Sequence, residues 1–174
     1  MEIIADILKI TIPAAIVLYA MYITITTFIR NGLAEKKIES HRQNLQTVLP
    51  IRLQAYERMC LFLERINPNN LVMRLNGTTN SALEFQQVLM HELREEFNHN
   101  LSQQVYMSHD AWERVRGAQQ EVMTLINQAA VNVKADDAPI ELSKRIFEKI
   151  VQENRNPTTD ALQFIKAEIQ KEFM

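Results

Sequence analysis

The chain has 174 residues, a formal net charge of −2 and 23% charged residues, values that indicate a folded protein and not a disordered one. Three glycines and five prolines are too few for the turns of a β-sandwich or β-barrel, and a lone cysteine excludes an internal disulfide. Residues 30–74 carry eight Lys or Arg against four Asp or Glu, whereas residues 75–174 carry ten against fifteen. This distribution gives no support to nucleic-acid binding.

The first predicted element is a transmembrane helix at residues 10–29, which follows a short extracytoplasmic N-terminus at residues 1–9. The run contains no charged side chain, and twenty helical residues span about 30 Å, the thickness of the hydrocarbon core of a bilayer. A cleaved signal peptide has a shorter apolar region with a basic start, whereas this chain starts with Glu2 and Asp6. A buried core helix would carry charges on its solvent side at every turn. The run therefore predicts single-pass anchoring in a lipid bilayer.

The orientation follows from the basic residues beside the span. Only Lys9 and the terminal amine precede it, and four basic residues follow it: Arg30, Lys36, Lys37 and Arg42. The positive-inside rule predicts that the N-terminus is outside and that the C-terminal domain is cytoplasmic, at the inner membrane. The same four residues could bind anionic lipid headgroups. Because glutamates are interleaved among them, we favour a role in topology.

Three hydroxyl side chains fall inside the predicted span. Tyr19 and Tyr22 lie near its middle, away from the interfaces where tyrosine is common, and Thr26 lies one turn after Tyr22. Two interpretations stay open. The hydroxyls contact another transmembrane helix, or they bond locally and reach towards the interface.

The predicted fold class is all-α: the N-terminal transmembrane helix and a polar helical stalk at residues 30–48 are followed by a soluble bundle of about five helices. Residues 49–174 form this cytoplasmic domain. Pro50 is expected to interrupt the chain and to begin a helix that reaches Ile66 and is so rich in apolar residues that it should lie centrally.

Capping signals place the later helices. Ser81 and Glu84 form a capping box for a helix to about Met107, and its apolar residues recur every four positions, so they drift around the axis and require more than one partner helix. These residues are Phe85, Leu89, Leu93, Phe97, Leu101 and Val105. Ser108 caps the next helix, whose apolar residues fit a heptad seam to Val133. We favour packing within the bundle over an oligomeric coiled coil for this seam. Further helices are expected to begin at Pro139 and Pro157.

A possible metal site lies in the segment HELREEFNH. His91, Glu95 and His99 are four positions apart and share one side of a helix, as metal ligands would. Each is two positions, or about 200°, from the apolar row, which turns the three side chains away from the core. Glu96 and His99 form one E-x-x-H segment, but the second copy that a carboxylate-bridged di-iron centre requires does not occur in the sequence. We therefore favour a solvated polar face and expect neither a metal nor another cofactor.

Two segments are similar to the recurring blocks of an uncharacterised bacterial family of about this length. LPIRLQAYERMCLFLERINPNNLVMRL, at residues 49–75, resembles a block of the type RLQAYERxxLFLERIxPxxLxxR, and EFNHNLSQQVYMSHDAW, at residues 96–112, is similar to the second block. The resemblance covers nearly the whole chain and implies a membrane-anchored helical domain. It implies no activity, substrate or catalytic residue.

Three functions follow as hypotheses, and an enzyme is not the favoured one. The first is a membrane-anchored cytoplasmic interaction or scaffold protein, whose partners are the bilayer and either another protein or a second copy of the chain. The second is an accessory subunit of a larger membrane complex, docked through Tyr19, Tyr22 and Thr26. The third is a metal-binding enzyme that uses His91, Glu95 and His99.

Overall fold

The computed structural model describes the backbone of residues 2–154 and 156–173, and the side chains of residues 15–29, 39, 46–154 and 156–171. Over this part of the chain there are six α-helices, one 3₁₀ helix and no strand, which confirms the predicted all-α class. The helices are α1 (Glu2–Ile66), α2 (Pro68–Leu75), α3 (Ala82–Asn100), the 3₁₀ helix (Leu101–Tyr106), α4 (His109–Ala130), α5 (Pro139–Glu153) and α6 (Pro157–Phe173).

The chain divides into two compact units, Met1–Leu49 and Pro50–Met174. The predicted start of a new helix at Pro50 is wrong, because α1 is continuous through this residue. A proline inside a helix removes one backbone donor and crowds one carbonyl. These effects are confined to a single turn, and the hydrogen bonds on either side can continue.

Among the residues whose side chains are described, no helix has the length and apolarity needed to cross a membrane. The structure thus does not support the predicted transmembrane helix at residues 10–29. The side chains of residues 10–14 lie outside the described residues, and the described run, 15–29, is shorter than the about 20 apolar residues that a bilayer core requires.

Within the second unit, α1 contributes one apolar face to the core. Its fully buried side chains recur at helical spacing, and they are Tyr56, Met59, Phe62, Leu63 and Ile66. Leu61, between them, is 56% exposed. The predicted central position of this helix is therefore wrong, because one of its sides is exposed to solvent. An amphipathic stripe of the kind found on a surface helix describes it better.

The helix that begins after Ser81 is shorter than predicted. It ends as an α-helix at Asn100, and the chain continues as the 3₁₀ helix. Phe85, Leu89 and Leu93 are buried, whereas Leu101 and Val105 are exposed. A spacing of four advances the apolar row by about 40° per step, so the last members have turned away from the core. As expected from this drift, α3 packs against more than one helix, namely α2, α4 and α5.

The predicted heptad seam lies inside the second unit. Val115, Gln119, Val122, Ile126 and Ala129 are all buried there, where α4 packs against α3, α5 and α6. The seam therefore packs within the bundle, which is the interpretation that the sequence favours.

The predicted N-caps Ser81 and Ser108 are confirmed, whereas the capping box differs in one bond, because Glu84 reaches the residue before the cap. Ser81 Oγ accepts the N–H of Glu84 (3.2 Å), and the Glu84 carboxylate accepts the N–H of Asn80 (3.1 Å). Ser108 Oγ accepts the N–H of Ala111 (3.0 Å) at the start of α4. Helices α5 and α6 begin at Pro139 and Pro157, as the sequence predicts.

Two glycines are expected to respond oppositely to alanine. Gly117 lies inside α4 and an added Cβ would meet nothing within 4 Å, so Gly117→Ala should raise the free energy of unfolding by about 0.5–1 kcal/mol. Gly77 lies in the α2–α3 turn with φ +81°, where a side chain is strained, so Gly77→Ala should lower it by about 1 kcal/mol. Urea denaturation of the full chain in mild detergent measures both. Equal shifts in the same direction would contradict this assignment of the two backbone conformations.

Candidate functional site

A polar cluster lies inside the second unit, centred on the hydroxyl of Tyr56. The Tyr56 side chain is 0% exposed. Its hydroxyl donates to Glu168 Oε1 on α6 (2.8 Å) and accepts the backbone N–H of Ser108 (3.2 Å), the residue that caps α4. A single phenol therefore joins α1, the start of α4 and the C-terminal part of α6.

Arg52, one turn before Tyr56, extends this cluster. Its side chain lies near the Tyr56 hydroxyl and acts to lower the pKa of that phenol, and its Nε donates to the carbonyl of Tyr106 in the 3₁₀ helix (3.2 Å). We refer to Arg52, Tyr56, Ser108 and Glu168 as the Tyr56 cluster. In the described part of the chain, Glu168 Oε2 is buried and makes no hydrogen bond. The cluster thus depends on one carboxylate oxygen for its bond to α6.

The environment keeps the Tyr56 phenol protonated. Burial is the main cause that raises the pKa of Tyr56 above its ordinary value of 10.0, the N–H of Ser108 lowers it, and the hydrogen bond and negative charge of Glu168 raise it further. A neutral phenol can donate the bond to Glu168, whereas a phenolate could not. At neutral pH the phenol is therefore protonated and available as the donor of this bond.

This pKa shift predicts a loss of stability at alkaline pH. Below the ordinary tyrosine pKa of 10.0, both the folded and the unfolded chain are protonated at Tyr56, and the contribution is fully present. Above it, the unfolded chain loses its proton first, so the free energy of unfolding falls with pH until the higher folded pKa is passed. Urea denaturation over this range should show a shallower decline for Tyr56→Phe than for the wild type. If the free energy of unfolding falls with pH equally in both proteins, the pKa of Tyr56 is not raised in the folded chain.

Further along α1, aromatic and charged side chains contact residues 96 and 97. The rings of Phe62 and Phe97 are 5.9 Å apart and tilted by 55°, and Phe97 stacks on Trp112 with centroids 5.5 Å apart. Arg65 Nε lies 3.1 Å from Glu96 Oε2. Offset and tilted pairs of this kind are each worth about 0.5–1.5 kcal/mol beyond the area that they bury.

The two segments that carry the family resemblance therefore pack against each other. Residues 49–75 supply Arg52, Tyr56 and Phe62, and residues 96–112 supply Phe97 and Ser108 among their partners. Their side chains form a core contact and a buried hydrogen-bond network. Several residues of the two segments thus pack the helices of the second unit against each other.

The predicted metal-ligand candidates are exposed. His91, Glu95 and His99 all face solvent on α3, which agrees with a polar face turned away from the core. Among the described residues there is no group of three His, Cys, Asp or Glu side chains that could hold a metal ion.

The remaining predicted site residues are the three hydroxyl residues inside the predicted span and the four basic residues after it. Tyr19 and Tyr22 are exposed, and the Thr26 hydroxyl donates to the carbonyls of Tyr22 (2.8 Å) and Ile23 (3.0 Å) within its own helix. The Thr26 hydroxyl therefore bonds locally, which is one of the two interpretations. The side chains of the four basic residues after the span, Arg30, Lys36, Lys37 and Arg42, lie outside the described residues.

Cys60 has the environment of an unreactive thiol. It is half-buried against the core, and burial raises its pKa above the ordinary value of 9.0, with Lys166 acting in the opposite direction and Glu64 and Glu57 adding to the rise. A raised pKa lowers the fraction of thiolate, which is the nucleophilic form.

Sequence reasoning did not find the Tyr56 cluster. Tyr56 and Glu168 are 112 positions apart, and the spacing of apolar residues describes Tyr56 only as a member of a buried stripe. The signal that could have indicated it is the presence of Arg52 one turn before a buried tyrosine, since a buried phenol requires a hydrogen-bond partner.

Comparison with models of protein families matches residues 2–172 to one described as a family of unknown function, DUF7935. No curated protein matches the chain. No solved structure matches it either.

Proposed function

Because the chain belongs to DUF7935, a family without an assigned function, we propose its role from its own residues: it is a helical interaction or scaffold protein that residues 10–29 anchor in a bilayer. In this proposal the N-terminus lies outside the bacterial inner membrane and the second unit lies in the cytoplasm.

One observation carries the proposal, and it concerns the described part of the predicted span. Ten large apolar side chains between residues 16 and 29 are 45–79% exposed, and they include the consecutive residues Ile16, Val17 and Leu18. Consecutive positions are about 100° apart, so apolar side chains cover every side of the helix. A helix that is apolar all round is found in membranes or in the core of a large protein. With residues 10–14 the uncharged run reaches twenty residues.

The threonines of this segment also fit an apolar surrounding. Thr24 Oγ1 donates to the carbonyl of Ala20 (2.8 Å), and Thr26 Oγ1 donates to the carbonyl of Tyr22 (2.8 Å). These hydroxyls therefore do not need water as a partner. Polar groups inside a bilayer must be satisfied in this internal manner, because hydrocarbon offers no hydrogen bonds.

Flotation with lipid vesicles tests the anchor. The full chain should float with the vesicles and resist high salt. The double variant Leu18→Lys/Met21→Lys places two charges in the apolar run, each costing about 2.5–3.5 kcal/mol at a membrane centre, and should remain at the bottom. The matched control is Val131→Lys/Val151→Lys, which adds the same charge at residues of the second unit that are 80% and 78% exposed. If Leu18→Lys/Met21→Lys floats as well as the control variant does, the proposal is overturned.

Tyr19 and Tyr22 favour the accessory-subunit function as a second candidate. The two residues are three positions apart and so share one side of the helix, and in the described part of the chain neither hydroxyl makes a hydrogen bond to another residue. Inside a bilayer, a phenol near the middle gains from a polar partner on a second helix. A photoreactive group at position 22 should then crosslink to one discrete protein in native membranes, whereas one at position 18 should label lipid. Labelling of lipid alone from both positions would exclude this candidate.

A further inference from the structure

We propose that Asn76 is a site of spontaneous modification, at which its side-chain amide is lost and an aspartate or isoaspartate residue forms through a cyclic imide with Gly77. The two residues lie in the turn after α2. Asn76 is the first residue beyond the helix, with φ −60° and ψ 136°, and Gly77 follows with φ +81°. Both are exposed.

The reaction needs only water. The backbone nitrogen of Gly77 attacks Cγ of Asn76, the new N–Cγ bond closes a five-membered ring, and the Cγ–Nδ2 bond breaks. The amide proton of Gly77 leaves with the side-chain nitrogen as ammonia. Water then adds to either carbonyl of the imide and reopens the ring. Opening at one carbonyl gives aspartate, and opening at the other gives isoaspartate, whose main chain is one methylene longer.

The turn leaves the attacking nitrogen accessible. A Cβ built on Gly77 would meet nothing within 4 Å, so no neighbouring side chain covers it. Ring closure requires a rotation about ψ of Asn76, and this residue lies outside the hydrogen-bonded part of α2. The turn is closed one residue later, where the N–H and the hydroxyl of Thr78 both donate to the carbonyl of Leu75 (3.3 and 2.7 Å).

The chain contains the same dipeptide in a second setting. Asn31–Gly32 lies within α1, where each backbone N–H donates to the carbonyl four residues earlier. Attack by the Gly32 nitrogen would require local opening of that helix. The third glycine, Gly117, follows an arginine. Asn31 is therefore the internal reference against which Asn76 is compared.

Modification would place a new charge at an unfavourable position. A carboxylate at the C-terminal end of α2 opposes the helix dipole, whose negative end lies there. Arg74, in the last turn of α2, is already paired with Glu92 (3.0 Å). The longer isoaspartate backbone would also alter the turn that Thr78 closes. The expected result is weaker docking of α2 as the protein ages.

Peptide mass spectrometry of the full chain, incubated in mild detergent at mildly alkaline pH, tests the proposal. Replacement of the side-chain amide by a carboxyl group raises the mass of the peptide, and this gain should develop at Asn76 at least about tenfold faster than at Asn31. A free energy of about 1.4 kcal/mol for local opening of α1 around Asn31 supplies this factor. In denaturant the two sites should react at similar rates. Asn76→Gln should show no gain at that position, because its longer side chain does not form the five-membered ring. Equal rates in the folded chain, or no reaction at Asn76 when the denatured chain reacts, would overturn the proposal.

Discussion

Phe62→Ala is expected to lower the free energy of unfolding by about 3–5 kcal/mol, the range measured for buried phenylalanines. The Phe62 side chain is completely buried and its ring contacts Phe97, so truncation leaves a cavity where the two motif segments meet. Urea denaturation of the full chain in mild detergent measures the loss, followed by the fluorescence of Trp112, the sole tryptophan of the sequence. Because Trp112 stacks on Phe97, its emission reports on this contact.

Leu61→Ala is the matched control for this prediction. Leu61 is the preceding residue of the same helix, but it is 56% exposed, so its truncation should change the free energy of unfolding by only about 0.5 kcal/mol. Equal losses for the two variants would show that α1 does not bury the face described above.

Tyr56→Phe is expected to lower the free energy of unfolding by about 1.5–3 kcal/mol while leaving the ring in place. The change removes the donor to Glu168 and the acceptor for the N–H of Ser108, and both remaining groups lose their partner. A hydrogen bond to a charged group is worth about 1.5–3 kcal/mol, and a buried group without a partner adds its desolvation cost. Tyr106→Phe, at a tyrosine that is exposed, should have little effect.

A double-mutant cycle isolates the bond between Tyr56 and Glu168. Glu168→Leu removes the carboxylate. In the Glu168→Leu background, Tyr56→Phe should therefore lower the free energy of unfolding by less than it does in the wild type. The coupling free energy is expected to be about 0.5–3 kcal/mol, the range for residues in one hydrogen-bond network. Additive losses would mean that the phenol and the carboxylate do not cooperate in holding α6.

The local structure could be predicted where the signal lies within a few residues. Ser81 with Glu84 and Ser108 placed the starts of α3 and α4, since a capping side chain satisfies a backbone N–H two or three residues away. The prolines at 139 and 157 placed the starts of α5 and α6 in the same way. The all-α class follows from such signals together with the helical spacing of apolar residues.

Features that depend on distant contacts could not be predicted. The Tyr56 cluster brings together residues from both ends of the second unit, and no local pattern specifies that pairing. The end of α3 at Asn100 depends on where the core stops covering a drifting apolar row, which is a property of the whole bundle. Pro50 is the opposite case. A proline locally disfavours a helix, yet α1 continues on both sides of this residue.

Protease protection in sealed membrane vesicles is the most direct test of the anchor and its orientation. In right-side-out vesicles from cells that express the full chain, the C-terminal unit should resist added protease and should be digested once the vesicles are opened. Recovery of the chain in the vesicle-free supernatant, or digestion of the C-terminal unit in intact vesicles, would contradict the account.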